Sequence, residues 1–406
     1  MNLPSFIAGR ITFKSQRSFS KLSVRIAILG IMLGLGVMII SVAIVKGFKG
    51  EITSKIRGFA GDIIINKFDL NTSQENSKIH LTADTLQNLQ HLRGVELVQP
   101  YASKPGIINV NNEVEGVVLK GVDKNYNWQY FKSIMVNGRA INFSDPEKSK
   151  QEILISQYTA NRLKLKTGDD FLMYFVQQPL RKRKFTIVGI YDLGVEDVDR
   201  MYVIGDLSLI QRLNNWQDNE VGGYEIRIHD FNKLEKVSAS VADNLPFNIK
   251  SYPVTEYYPT IFQWLSLLDV NTQVILVLML AVAVINMISA LLIIILERTN
   301  MIGILKALGS SNWKIRQIFL YNAAYLISLG MILGNALGLG FCLLQAKTHL
   351  FKLDEASYYM NFVPVELDLT DVLLLNIGTL IFCMLALLLP SVLVSRISPV
   401  KAIAFK

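Results

Sequence analysis

The sequence predicts an integral membrane α-helical protein: four transmembrane helices, with a large α+β extracytoplasmic domain inserted between the first and the second. Three observations carry this. Four runs, 26–46, 271–296, 318–345 and 372–394, are long and predominantly apolar, and about 20 such residues form a helix of ~30 Å, enough to cross bilayer hydrocarbon. The segment 47–270 instead mixes polar and apolar residues with both helix and strand periodicity. Lys and Arg, finally, crowd into some of the short segments beside the apolar runs and avoid another.

Composition agrees. Hydrophobic residues make up 51% and charged residues 18% of the chain, with a mean hydropathy of +0.33, richer in apolar residues than a soluble protein. The net charge of +8 gathers beside apolar runs and forms no basic stripe with interleaved aromatics, which argues against a nucleic-acid partner. The two cysteines, Cys342 and Cys383, lie inside apolar runs, so no disulfide framework is expected. His80, His91, His229 and His349 show no metal-ligand spacing.

The N-terminal segment, 1–25, carries Arg10, Lys14, Arg17, Lys21 and Arg25 and no acid. The first apolar run continues past Ser41-Val42-Ala43, a small-x-small site, and is long for a signal peptide; an uncleaved first span is expected. Gly30 and Gly34 form a GxxxG pair in it, a helix-packing device. Beyond Lys46, Phe48, Ile52 and Ile56 recur at helical spacing, which extends the helix into a stalk.

The domain opens with a strand at 62–66, a helix near 82–92 and a strand near 95–100. It closes with a strand at 224–228, a helix at 231–245 and a strand at 247–251. These two β-α-β units suggest a weak internal repeat. Between them lie a hairpin signal around Asn111-Asn112 and a β-rich stretch, 152–204. A second stalk helix follows, with Ile261, Leu265 and Leu268 on one face.

The short segment 297–317 separates the second and third runs. Met301, Ile304, Leu305 and Leu308 fall at i, i+3, i+4 and i+7, one face of a short helix. Gly309 is placed to end it, Lys306 suits its last turn, and Ser310, Ser311 or Asn312 can cap a new helix. In the third run Gly330, Gly334 and Gly338 form a small-residue ridge, read as packing within one subunit.

The positive-inside rule orients the chain. The N-terminal segment holds the five cations named above, the 297 loop holds Arg298, Lys306, Lys314 and Arg316, and the tail from 395 holds Arg396, Lys401 and Lys406. The loop 346–371 has only Lys347 and Lys352, beside Asp354, Glu355, Glu366, Asp368 and Asp371. Both termini and the 297 loop are therefore assigned to the cytoplasm and the large domain to the outside.

Enzyme signatures do not surface. The chain has no G-x-x-x-x-G-K-[ST] phosphate cradle, no G-x-S-x-G and no H-E-x-x-H. Apart from Lys46 at the very end of the first, the apolar runs hold amides such as Asn286, Asn322 and Asn335 but no Asp, Glu, Lys, Arg or His, which speaks against an ion-coupled carrier.

The run Glu297-Arg298-x-x-x-Ile302-Gly303-Ile304-Leu305-Lys306-Ala307-Leu308-Gly309-Ser310-Ser311 resembles the cytoplasmic coupling segment of permeases in the MacB/FtsX superfamily, particularly the lipoprotein-releasing LolC/LolE type. The opening FIAGR and RSFSKLSVRIAILGIMLG, the following VAIVKGFKGEI and the closing PSVLVSRISPVKAI carry the resemblance over nearly the whole chain. The resemblance implies porter-like and β-rich subdomains, and a coupling site at Glu297, Arg298, Met301, Gly303, Ile304, Leu305, Lys306, Leu308 and Gly309. It implies two copies of a separate ABC ATPase that binds ATP and Mg, a second permease subunit identical or related, and lipoprotein cargo drawn from the outer leaflet of an inner membrane. This chain itself binds no cofactor in that reading. For a lipid-anchored cargo, Phe48, Ile52, Ile261 and Leu265 are candidate contacts, with helix packing as their alternative role. LolC-type permeases carry a long hairpin hook for a periplasmic lipoprotein chaperone between the strands matching 171–176 and 184–190. Here the link is only QQPLRKR, which favours a LolE-like role or another cargo. Two further readings are an FtsX-like signalling module acting on a cell-wall hydrolase, against which the large external domain counts, and a membrane-anchored scaffold.

Overall fold

A computed structural model describes residues 18–68, 75–175, 177–354, 358 and 360–392. The chain divides into two units. One holds the described residues up to Lys49, Leu265–Lys352 and those from Phe362; the other holds Gly50–Trp264 and Leu353–Asn361.

The first unit is helical. Among the described residues four helices are long and apolar enough to cross a membrane, Val24–Ala60, Pro259–Glu297, Asn312–Thr348 and Leu369–Ser391. The first two extend well beyond the apolar runs, because each stalk is the same helix as its apolar run: Ser18–Ala60 and Pro259–Glu297 are single elements. The fourth is interrupted at Leu387, between Leu369–Ala386 and Leu388–Ser391. Pro390 lies just beyond, and a proline ring removes one helical hydrogen bond and crowds the carbonyl four residues back. Ile31, Ala283, Met287, Leu291, Phe319, Ile327 and Cys383 are buried in one apolar core. The tail from 393, with Arg396, Lys401 and Pro399, lies outside the described residues, as do Arg10, Lys14 and Arg17.

In the second unit the two β-α-β segments interleave. Strands β1 (Ile63–Lys67), β2 (Val95–Val110), β9 (Gly223–Ile228) and β10 (Ile249–Pro253) stand in the order β10-β1-β9-β2, every pair antiparallel. This is the split β-α-β arrangement, each crossover carrying one helix, Ala83–His91 or Leu234–Ala242. Thr82 caps the first of these helices by accepting the Thr85 N–H.

The β-rich part closes on itself. The remaining strands are β3 (Glu113–Val122), β4 (Met135–Gly138), β5 (Glu152–Ser156), β6 (Asp170–Phe175), β7 (Arg181–Tyr191) and β8 (Tyr202–Asp206), of which β4 pairs with β7 alone. Pairing runs β2–β3, β3–β8, β8–β5, β5–β7, β7–β6 and back from β6 to β2. A closed ring of this kind leaves few free edges. Its interior is filled by Ile153, Phe171, Met173, Phe175, Phe185 and Ile187, all buried. The two-residue turn between β2 and β3 has Asn111 and Asn112 at φ 55° and 62°, the left-handed pair that a type I′ hairpin requires.

One reading changes. The sequence suggests separate strands near 95–100 and 106–110, since Pro100 and Pro105 intervene. The structure makes them one 16-residue strand whose first half pairs with β9 and whose second half pairs with β3. The β6–β7 hairpin is short, Phe175 pairing with Arg181.

Candidate functional site

The segment 297–317 folds as a short helix between two long ones. The second long helix ends at Glu297, and Arg298 leaves helical geometry at φ −103°, ψ 16°. Thr299–Ala307 then forms a helix of its own. At its end Gly309 takes φ +86°, a conformation that glycine adopts without a Cβ penalty. Its N–H donates to the Lys306 carbonyl and the Ser310 N–H to the Leu305 carbonyl, each at 3.0 Å, a Schellman termination. Ser311 caps the third long helix by accepting the Lys314 N–H. Both ends of the turn are thus fixed by local hydrogen bonds.

Periodicity places Met301, Ile304, Leu305 and Leu308 on one face; the structure divides that face. Met301 and Leu305 are half-buried against the helical core, where Ile302 is fully buried beside Ile315 and Phe319. Ile304 is 48% exposed, Leu308 78%, and the nearby Trp313 58%. The reason is that the helix carries apolar residues on more than one side, and Ile302, outside the i, i+3, i+4, i+7 set, takes the innermost position. Gly303 is buried and Gly309 exposed. Glu297, Arg298 and Lys306 are half-buried, and partial desolvation lowers the Lys306 pKa. The result is a short, capped helix with an inner side seated on the core and an outer apolar side left uncovered.

The glycines make close helix approaches. A Cβ on Gly330 would lie 2.8 Å from Ile31 Cβ, one on Gly334 3.0 Å from the Met32 carbonyl oxygen, and one on Gly338 3.0 Å from Ile39 Cβ. The ridge of the third helix therefore lies on the first helix. Gly30 and Gly34 turn to the second helix, against Asn286 and against Met279 and Ala283. Asn335, one of the amides in the apolar runs, bonds across helices as such residues commonly do, whereas sequence reasoning missed its partner and the ion pairs beside these contacts. Asn335 and Asn376 exchange side-chain hydrogen bonds at 2.7 and 2.9 Å. Lys46 pairs with Asp368 and Asp371 at 2.7 and 3.0 Å, and Lys49 with Asp269 at 2.5 Å. A lysine directly after an apolar run, with acids opening the fourth, is the signal that could have found the first pair.

The four candidate cargo contacts are all buried: Phe48 at 9%, Ile52 at 0%, Ile261 at 7% and Leu265 at 2% exposure. They offer no open apolar surface in this structure, because the same helical spacing that suggested contact sites also suits packing.

In the second unit the Ser18–Ala60 helix ends on a buried polar cluster. The Lys120 ammonium donates to the Phe59 carbonyl at 2.5 Å and to the Tyr126 hydroxyl at 2.9 Å, and it pairs with Glu225 at 2.6 Å. Tyr126 in turn donates to Glu225 at 2.8 Å. Burial pushes the Lys120 ammonium below the ordinary lysine pKa, opposed by the attraction of Glu225. A cation suits a helix C-terminus, where carbonyls are left without partners. Among the described residues no group of three or more His, Cys, Asp or Glu could hold a metal ion.

Comparison with known proteins agrees with this architecture. Residues 26–244 match the MacB-like periplasmic core domain and residues 273–399 the FtsX-like permease C-terminal domain. The chain is 22% identical to the lipoprotein-releasing system transmembrane protein LolC of Neisseria meningitidis, covering 97% of this chain and 96% of that one. It is 22% identical to the corresponding LolE of Haemophilus influenzae over the full length of both chains. The periplasmic region of MacB from Actinobacillus actinomycetemcomitans aligns with 52% of this chain and 97% of its own at 15% identity and a TM-score of 0.34. With both family domains matched in order, and the LolC and LolE relatives aligned end to end, the chain belongs to the MacB/FtsX family, as an ABC transporter permease subunit of the LolC/LolE type with a large extracytoplasmic domain.

Proposed function

We propose that this permease, a non-catalytic subunit with four spans in an inner membrane, extracts lipoproteins from the outer leaflet by mechanical transmission. A separate ABC ATPase, present in two copies and holding ATP and Mg, drives it together with a second permease subunit. Lipoprotein as cargo rests on the names of the relatives, which are lipoprotein-releasing system proteins.

The observation that carries the reading is the uncovered apolar side of Thr299–Ala307. Ile304 and Leu308 project from a helix whose two ends are fixed by a Schellman turn and a serine cap. A short helix so held acts as a handle: force on its outer side passes into Met301, Ile302 and Leu305 and through them to the helical core. The first two long helices, Ser18–Ala60 and Pro259–Glu297, are each continuous, with no break that would absorb the displacement. Phe48, Ile52, Ile261 and Leu265 would meet an acyl chain only in a state that uncovers them, at ~0.8 kcal/mol per buried CH₂.

The test is copurification with the ATPase. Ile304→Asp with Leu308→Asp places two charges on the outer side without entering the core. It should abolish ATPase copurification while the permease remains membrane-inserted and monodisperse. Undiminished copurification would remove the coupling assignment.

A further inference from the structure

The split β-α-β subdomain carries a cavity of about 430 Å³ between the end of the Ala83–His91 helix and the start of Leu234–Ala242. It is lined by Arg93, His229, Asp230, Lys233, Lys236 and Ser240. Three of these six, Arg93, Lys233 and Lys236, are basic side chains, and they are not all paired with acids. Lys233 pairs with Asp230 at 2.8 Å, which neutralises the one acid in the wall. Among the described residues Arg93 and Lys236 enter no ion pair. The neighbouring Arg227 is engaged elsewhere, with Glu96 at 3.8 Å. Two unmatched positive charges therefore face the same concave volume, with the imidazole of His229 and the Ser240 hydroxyl as further hydrogen-bonding groups.

The backbone holds these groups in place. Gly94, next to Arg93, has φ +102°, and a Cβ there would lie 2.9 Å from Val237 Cγ2. A side chain at 94 would be strained at this φ and would crowd Val237 on the Leu234–Ala242 helix that carries Lys236. The Gly94 carbonyl also accepts the His229 N–H at 3.0 Å. The wall is thus tied across the two β-α-β units.

We infer that this cavity binds a phosphate ester of about the size of glycerol phosphate. An arginine fork with a lysine beside it is the pairing that recognises phosphate oxygens. A volume of about 430 Å³ lies in the range of small-molecule sites and exceeds what inorganic phosphate alone would fill. The ester is one of net negative charge, either a phosphomonoester from solution or the phosphodiester of an anionic phospholipid headgroup; both present anionic non-bridging oxygens to the two unmatched cations. This site stands apart from the coupling helix and does not depend on the transport reading.

The experiment uses the purified full chain in a non-ionic detergent and isothermal titration with three probes. These are sn-glycerol 3-phosphate, dihexanoyl phosphatidylglycerol and the zwitterionic dihexanoyl phosphatidylcholine. The expected result is saturable binding of one equivalent of glycerol phosphate, phosphatidylglycerol or both, weakened more than tenfold in the Arg93→Glu/Lys236→Glu variant. Binding of the soluble ester identifies a soluble source as sufficient; binding of phosphatidylglycerol alone identifies a lipid headgroup. Lys132→Glu, a charge reversal elsewhere on the same unit, should leave the affinity unchanged, and the milder Lys236→Gln should weaken it without altering the melting temperature. Absence of saturable binding, equal binding of phosphatidylcholine, or an equal loss in Lys132→Glu would overturn the proposal.

Discussion

Lys120 shows how much one side chain can hold in this protein. It stands in the run Val117–Val122, whose residues are all buried, and it meets a carboxylate, a hydroxyl and a helix-terminal carbonyl at once. Removing the ammonium leaves the Glu225 charge buried without its partner, a loss of about 3–5 kcal/mol. Lys120→Met should therefore lower the melting temperature of the detergent-solubilised chain sharply. Lys120→Met with Glu225→Leu should recover most of that loss, since the uncompensated charge has gone; a double variant no better than the single one would refute the pairing argument. Asp199 gives the pH dependence. Burial pushes its carboxyl up to about 7, above the ordinary value near 4, so the folded chain holds this proton more tightly than the unfolded chain. Stability from this group is then complete at acid pH and declines as pH rises from about 4 to about 7. The melting temperature should be higher at pH 5 than at pH 8, and Asp199→Asn should flatten the difference. A lysine in an apolar strand is a visible anomaly in sequence. Its partners are not, because Glu225 and Phe59 are more than fifty residues away along the chain, in opposite directions.

At the scale of elements, the long helices are legible because their apolar runs far exceed what a soluble core needs. The Asn111-Asn112 turn is legible because two left-handed residues in succession suit few side chains. The inner and outer sides of Thr299–Ala307 are not. Nine residues with apolar groups on several sides satisfy more than one periodic assignment, and only the position of Phe319 and Ile315 decides that Ile302 goes inward. Strand β2 hides for a different reason: two prolines look like boundaries, yet both sit where the partner changes or the ladder tolerates a missing donor. Glycine placement gives a test of the packing. Gly334→Ile introduces branches where even a Cβ approaches Met32 and Leu35, and overpacking of this kind costs ~1–3 kcal/mol. Gly340, in the same helix, has nothing within 4 Å of a Cβ, and Gly340→Ala should be neutral or slightly stabilising because alanine is the better helix former. Comparable melting temperatures for Gly334→Ile and Gly340→Ala would show that the ridge does not carry helix contact.

At the scale of the whole molecule, the proposed function depends on which side of the membrane the coupling helix faces. Basic residues are unevenly placed: five cations precede the first apolar run, four lie in the 297 loop and three in the tail, against two in the 346–371 loop with five acids. Cations beside apolar helices are retained on the cytoplasmic side, which in the proposed reading puts the coupling helix on the side of the ATPase. Both cysteines are buried, so the native chain should give little background with a membrane-impermeant maleimide. Phe247, fully exposed in the sheet unit, becomes a reporter as Phe247→Cys, and Ser310, at the end of the coupling helix, as Ser310→Cys. In intact spheroplasts Phe247→Cys should label and Ser310→Cys should not; after permeabilisation both should. Labelling of Ser310→Cys in intact cells would put the handle on the side where no ATP-driven motor can reach it, and with that the transmission mechanism would have no source of force.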